Sequence, residues 1–140
     1  MQAATGVEQL KKLTLFIKMR KNNFKLLYKG FKKFNKYFIL PEVESKVDPS
    51  WFGFLLTFRK DAGFTRDDII KYLESNKIAT RMLFAGNIIR HPSFENVKYR
   101  IYRDLVNTDF IMNNTFWIGV YPGFTEKIIN YILEKIDKFF

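Results

Sequence analysis

A long amphipathic pattern at the start of the chain limits the folds that this sequence can form. Between residues 7 and 34, apolar side chains recur at spacings of three, four and seven, which places them on one face of an α-helix. They are Val7, Leu10, Leu13, Ile17, Phe24, Leu27, Tyr28, Phe31 and Phe34. A helix of 28 residues is more than twice the mean length in globular domains. The pattern therefore predicts a helix that projects beyond its own core toward another domain or subunit.

The net charge of +10 is concentrated in the same segment. Residues 1–40 hold ten Lys or Arg and one acid, whereas residues 41–140 hold fourteen bases and thirteen acids. The simpler interpretation is a solvated helix face, because no nucleic-acid-binding motif accompanies the charge. The alternative is a basic binding module that uses the residue 11–36 helix on nucleic acid or another anionic partner. A membrane-surface helix is disfavoured, since the core needs its apolar face.

Three apolar segments further along the chain predict strands. Residues 51–58 form a continuous aromatic-rich run, which is typical of a strand buried on both faces. Residues 78–83 and 115–120 predict two more strands, and residues 35–50 predict a connection that ends in turn residues.

Helix start signals separate these strands. Thr65 and Asp68 have the spacing of a capping box, and Thr125 is an N-cap for a final helix. A short helix is expected near residues 109–113. The sequence therefore predicts an α+β fold with a small antiparallel sheet of about three strands, covered by helices. We expect residues 1–36 to form a long basic interdomain-type helix and residues 37–140 to form one α+β unit.

Composition and missing motifs exclude several classes of protein. A chain of 140 residues fits one domain, and its lack of cysteine excludes a disulfide framework and favours a reducing, cytoplasmic setting. Lysines interrupt every long apolar run, so we expect no membrane span. There is no P-loop, dinucleotide fingerprint, histidine pair or nucleophile elbow. On its residues alone, the chain is not a complete enzyme.

The segment from Thr80 to Pro92 carries the most varied polar chemistry. It contains Arg81, Asn87, Arg90 and the single histidine, His91, around a glycine. Arginine is suited to bidentate binding of phosphate or carboxylate, and an asparagine amide can contact hydroxyls. The alternative is that Arg81 pairs with a surface acid and that Asn87 only turns the loop. His91 beside a proline is interpreted as a loop residue and not as a base.

Four motifs then occur in a fixed order along the chain. They are Trp51-Phe52-Gly53-Phe54, Thr80-Arg81 with Leu83-Phe84-Ala85-Gly86-Asn87, Asn107-Thr108-Asp109, and the run from Asn114 to Gly123. Together they resemble the C-terminal small domain of the pyridoxal-phosphate-dependent DegT/DnrJ/EryC1/StrS sugar aminotransferase family, whose members share the fold-type-I architecture. Within the family they are most similar to the RfbH-type nucleotide-4-keto-6-deoxyhexose 3-dehydratases of lipopolysaccharide biosynthesis.

The resemblance implies a division of labour between two domains. In the intact family, pyridoxal or pyridoxamine phosphate is held by a large N-terminal domain, and the small domain helps to enclose a nucleotide sugar. It implies substrate contacts for Arg81, Asn87 and Arg90, and no catalytic, cofactor-binding or metal-binding residue in this chain. We expect the chain to be inactive alone. His91 is not the histidine that replaces the cofactor lysine in the dehydratases, because it lies in the small domain.

The resemblance also sets expectations for origin and partners. Leu55 and Met82 stand where this type usually has proline, which relaxes the backbone near both strand ends. The chain is expected to be a truncated or split gene product, or an excised piece of a longer protein. Its expected partners are a separately encoded large domain, or a second copy bound through the helix of residues 7–34. We expect neither membrane nor nucleic acid as a partner.

Overall fold

The computed structural model describes residues 2–140 and begins with the expected long helix. Helix α1 spans Gln2–Phe31 and passes into a 3-10 turn over Lys32–Phe34. Only its C-terminal half is packed: Leu27 and Phe31 are buried there, as is Phe34 of the 3-10 turn. Val7, Leu10 and Leu13 share the apolar stripe with them and are exposed. The helix therefore forms as the periodicity predicts, but its first half lies outside the core of residues 2–140.

The sheet has four strands, one more than the sequence indicated. They are β1 (Phe38–Ile39), β2 (Gly53–Phe58), β3 (Thr80–Met82) and β4 (Thr115–Gly119), in the spatial order β1-β2-β4-β3, and all neighbours are antiparallel. Strand β1 was expected to be part of a connection. It has two residues, which is too short to show an alternating pattern, and its pairing partner Phe58 lies twenty positions away along the chain.

One face of the sheet forms the core with the helices. Phe54, Leu56 and Phe58 point to this face from β2, and they pack with Phe116 and Ile118 of β4. The helical layer adds residues of α1 and of α4 (Glu126–Phe139), chiefly Leu27, Phe31, Ile129, Ile132 and Ile136. The ring of Phe31 lies 5.1 Å from that of Phe54 and 6.1 Å from that of Phe38. Several phenylalanine side chains thus pack where the sheet contacts the helices.

The predicted caps are present. Helix α2 spans Arg66–Ser75, and Thr65 and Asp68 form the reciprocal bonds of a capping box. The Thr65 hydroxyl and backbone N–H hold the pKa of the Asp68 carboxyl below its usual value. Thr125 accepts a hydrogen bond from the Ile128 N–H at the start of α4. These local signals were readable because each one involves residues three apart.

The region between β3 and β4 was the least predictable. It contains two 3-10 turns, Ile88–Arg90 and Pro92–Phe94, and then a helix α3 over Val106–Asn114. Helix α3 begins three residues before the predicted start near residue 109 and has no side-chain N-cap. No helix within residues 2–140 is long and apolar enough to cross a membrane.

Candidate functional site

The loop that follows β3 is shaped by a glycine at its centre. Gly86 has φ +64°, a left-handed conformation that costs glycine little. A Cβ at this position would also lie 2.3 Å from Cγ of Met112 on α3. Because only glycine fits both conditions, the loop lies directly against α3.

Asn87 is held inside the loop by three interactions. Its side chain is 2% exposed, and its amide Nδ2 donates to Asp109 Oδ1 at 2.7 Å. Its carbonyl Oδ1 accepts from the Ile89 N–H at 3.3 Å and caps the first 3-10 turn. Its own backbone N–H meets Met112 Sδ at 3.3 Å. The side chain therefore caps the turn that follows it and links the loop to α3.

Arg90 shares the carboxylate of Asp109 with Asn87. Its Nη2 lies 2.8 Å from Oδ2 and its Nε lies 3.3 Å from Oδ1, a bidentate geometry. The Arg90 hydrogen bond, and after it that of Asn87, lowers the pKa of the Asp109 carboxyl, while Asp109 raises the pKa of Arg90. These three residues form what we call the Asp109 network.

Asp109 was not identified from the sequence as a partner of the two predicted site residues. It was assigned only to the start of a short helix. The pairing joins residues 19 and 22 positions apart, and no local spacing rule reports a contact of that separation. The motif Asn107-Thr108-Asp109 was the one signal that marked the position.

Arg81 lies on the other face of the sheet from the core. It pairs with Trp117 in the β3–β4 register, and its neighbour Thr80, pairing with Ile118, is buried on the core side. Its Nη1 donates to the Thr80 carbonyl at 2.8 Å. Within residues 2–140 the Arg81 guanidinium has no carboxylate partner and no contact with the Asp109 network. The surface ion pair considered for Arg81 is thus not formed there.

Trp117 is the cross-strand neighbour of Arg81 on that face, and it lines a cavity together with Phe52 and Phe84; we call these three residues the outer aromatic wall. The rings of Phe52 and Trp117 meet edge to face at 5.3 Å, and Trp117 Nε1 donates to the Met82 carbonyl at 3.1 Å. A cavity of about 190 Å³ lies beside them; it is lined by Trp51, Phe52, Gly53, Leu55, Leu83, Phe84 and Trp117. A Cβ on Gly53 would come 2.7 Å from the Trp117 ring, so the glycine lets that ring lie across β2.

Phe84 has the least expected conformation of the wall. It is 75% exposed and has φ +46°, which is uncommon for a bulky residue. A large apolar side chain held in solvent by a strained backbone is typical of a ligand-facing position. From the sequence, the wall was recognised only as motif and strand residues.

His91 makes a hydrogen bond within the loop. Its Nε2 lies 3.0 Å from the Ala85 carbonyl, across the turn that contains Gly86. No cluster of three or more metal-ligating side chains occurs within residues 2–140.

Together these features define a class of protein. The chain is an α+β domain with one helix-covered sheet face and one partly open face, on which Arg81 lies beside Trp117. The outer cavity, of about 190 Å³, is smaller than the usual enclosed small-molecule pocket.

Comparison with known proteins identifies the family. The chain belongs to the DegT/DnrJ/EryC1/StrS aminotransferase family, whose model matches residues 1–137. It is 49% identical over 140 residues to the lipopolysaccharide biosynthesis protein RfbH of Salmonella typhimurium, covering all of this chain and 32% of that protein. It is 46% identical over 139 residues to the dTDP-4-dehydro-2,6-dideoxy-D-glucose 3-dehydratase of Saccharopolyspora spinosa, covering 99% of this chain and 30% of the relative.

A solved structure shows the same architecture. The E. coli GDP-4-keto-6-deoxy-D-mannose-3-dehydratase with bound hydrated PLP superposes with a TM-score of 0.83 at 27% identity. The match covers 93% of this chain and 33% of that one. The fold and family expected from the four motifs are thus confirmed. The chain spans about a third of the length of the curated relatives that it matches.

Proposed function

We propose that this chain is the small C-terminal domain of a pyridoxal-phosphate-dependent sugar 3-dehydratase or aminotransferase of deoxysugar biosynthesis, and that it forms one wall of the nucleotide-sugar site. The observation that carries the proposal is Arg81, a guanidinium without a carboxylate partner in residues 2–140, on the sheet face that also presents the outer aromatic wall. Two of the relatives named above carry 3-dehydratase in their names, and one of these names a dTDP sugar. Neither the fold nor these similarities support the alternative of a nucleic-acid-binding module.

The chemistry of this face suits a nucleotide sugar. A guanidinium can bind two phosphate oxygens at once, and aromatic rings offer flat apolar surfaces for a base or for the apolar side of a sugar ring. Arg81 is therefore assigned a diphosphate contact. Asn87 and Arg90 remain proposed substrate-binding residues, but their side chains already bind Asp109. They would contribute to substrate binding chiefly by positioning the loop and Phe84.

The residues of this face do not fit pyridoxal phosphate by themselves. The cofactor requires an amine or its histidine substitute at the reacting carbon and an acid at the pyridine nitrogen. The outer cavity is lined by aromatic, aliphatic and glycine residues only. We therefore propose that the cofactor's ligands are supplied by the rest of an intact enzyme, and we derive no chemical step from this chain.

The projecting half of α1 supplies a surface for that large domain. Residues 2–15 are exposed along their whole length, including Val7, Leu10 and Leu13 of the apolar stripe. We propose that residues 1–36 act as the interdomain helix of the intact enzyme, which has the large domain in the same or a separate polypeptide. Self-association through residues 7–34 is the competing use of this surface. A cytoplasmic location completes the proposal, since the chain has no cysteine and the substrate is a nucleotide sugar.

An absorbance titration tests the assignment of the cofactor to another domain. Pyridoxal phosphate or pyridoxamine phosphate is added to the chain alone, and free lysine at matched amine concentration serves as the control for nonspecific imine formation. We expect no saturable, stoichiometric band beyond that control. A stoichiometric band would show a cofactor site within the chain and would contradict the proposal.

A further inference from the structure

We propose that a groove beside α1 binds a phosphorylated aromatic small molecule of mononucleotide size. The groove lies between α1 and the segment of residues 41–51, and we call it the α1 groove. Its volume is about 380 Å³, which falls within the usual size of small-molecule sites. The proposal stands on the contacts of this groove and does not depend on the function proposed above.

A cationic rim runs along the groove. Lys21, Lys25, Lys29 and Lys32 line it, and their spacings of four, four and three place them on one side of α1 and its terminal turn. Lys21 pairs with Asp48 on the opposite wall. Lys25, Lys29 and Lys32 have no carboxylate partner in the described part of the chain. Since like charges at these spacings repel along a helix, a bound anion would relieve the repulsion.

The floor of the groove is aromatic. The ring of Phe24 stacks against those of Tyr28 and Trp51. The ring centroids are 6.3 Å and 6.2 Å apart, respectively. Two valines on the facing segment, Val43 and Val47, leave apolar surface exposed at its edge. An apolar floor beneath a row of ammonium groups is complementary to a planar ring that carries a phosphate.

Two buried polar atoms near the floor have no partner. Within residues 2–140, Trp51 Nε1 and Ser50 Oγ are buried without a hydrogen bond, and Trp51 itself lines the groove. A buried donor without an acceptor is costly, and native proteins rarely keep one without a ligand, water or ion to satisfy it. Because Trp51 lines the groove, the signal of its indole N–H is expected to respond to a ligand bound there.

The lysines of α1 extend beyond the groove, so a small ligand and a long polyanion are expected to contact different sets of residues. A nucleic-acid strand laid along α1 would contact the lysines of its projecting half, such as Lys12 and Lys18, as readily as those of the groove. Those residues lie outside the cavity lining. Substitutions inside and outside the groove therefore distinguish the two kinds of ligand.

Adenosine monophosphate is the test ligand, and the shifts of the two indole N–H signals in ¹⁵N-labelled chain are the readout. We expect saturable shifts of the Trp51 indole and of amides in residues 21–32, with the Trp117 indole as an internal control. Lys25→Gln and Lys29→Gln should each weaken binding by about two- to fivefold, the size of one exposed ion pair. Lys12→Gln makes the same charge change outside the groove and should leave the affinity unchanged. Both adenosine and inorganic phosphate alone should bind more weakly than the nucleotide.

Four results would overturn the proposal. One is the absence of saturable shifts at millimolar nucleotide. A second is an equal loss of affinity in Lys12→Gln, which would indicate attraction to the whole basic helix. A third is inorganic phosphate binding as tightly as the nucleotide, which would remove the role of the aromatic floor. The last is shifts that leave the Trp51 signal unmoved.

Discussion

At the scale of single residues, two arginines of one loop region have separate roles. Arg90 is bound by Asp109, while Arg81 has no acid partner within residues 2–140 and lies beside Trp117. The family resemblance implied substrate contacts for both, while the residues alone left open whether Arg81 pairs with a surface acid. What separates them is the position of Asp109, nineteen residues beyond Arg90 and on another element. The partly exposed carboxylate of Asp109 can be followed by titration.

We predict that Arg90→Gln raises the pKa of Asp109 toward the ordinary aspartate value near 3.9. The hydrogen bond from Arg90 is the largest cause of the lowered pKa of Asp109. The second cause, the hydrogen bond from Asn87, remains in the variant. A carboxyl whose pKa is lowered by folding contributes stability that is present above its unfolded pKa. That contribution is lost as the pH falls through the lower folded pKa. The stabilisation by Asp109 should therefore disappear only below about pH 4.

Carboxyl ¹³C shifts of Asp109 followed during an acid titration measure this pKa directly. Arg100→Gln removes the same charge from an exposed position that does not bind Asp109 and should leave the titration unchanged. The network would be refuted if Asp109 titrated at the ordinary value in the unaltered chain, or if both variants shifted it equally.

At the scale of elements, apolar patterns and helix caps predicted most of the helices and strands. Helix α1, strands β2 and β4, and the capped helices α2 and α4 lie where periodicity and caps placed them. Strand β1 was missed because two residues carry no pattern, and its strand character comes from pairing with β2. The 3-10 turns after β3 were missed for a related reason. The first turn is held to α3 by the contacts of Asn87 and Arg90 with Asp109, which join residues distant in sequence.

Helix α1 has the same apolar stripe throughout, but only its second half contributes to the core. We predict that Leu27→Ala lowers the free energy of unfolding by about 2–5 kcal/mol, since Leu27 is fully buried. The matched change Leu13→Ala, on the projecting half, should alter it by no more than about 0.5 kcal/mol.

Urea denaturation followed by circular dichroism measures both variants, and hydrogen exchange locates the difference along the helix. Amides near residues 23–31 should be protected, and those near residues 2–15 should exchange rapidly in a monomer. Equal costs for the two leucines in a monomeric sample, with uniform protection, would contradict the division of α1 into a packed and a projecting half.

At the scale of the whole molecule, the chain combines a sufficient core with two surfaces that the core does not use. One is the projecting half of α1, and the other is the sheet face that carries Arg81 and the outer aromatic wall. A domain that completes a larger enzyme is expected to expose such surfaces, because their partners lie elsewhere. The length of the relatives, about three times that of this chain, agrees with this interpretation.

The central claim is that this chain can serve as the nucleotide-sugar wall of a 3-dehydratase. Its most direct test replaces the matching third of the dehydratase that is 46% identical with this chain and measures turnover of that enzyme's own dTDP sugar. We predict turnover by the chimera, and a rise in KM of at least about tenfold in Arg81→Gln, the cost of a charged hydrogen bond. Arg100→Gln should leave KM unchanged. A chimera that folds and takes up pyridoxal phosphate but neither binds nor converts the sugar would contradict the account, as would a KM indifferent to Arg81.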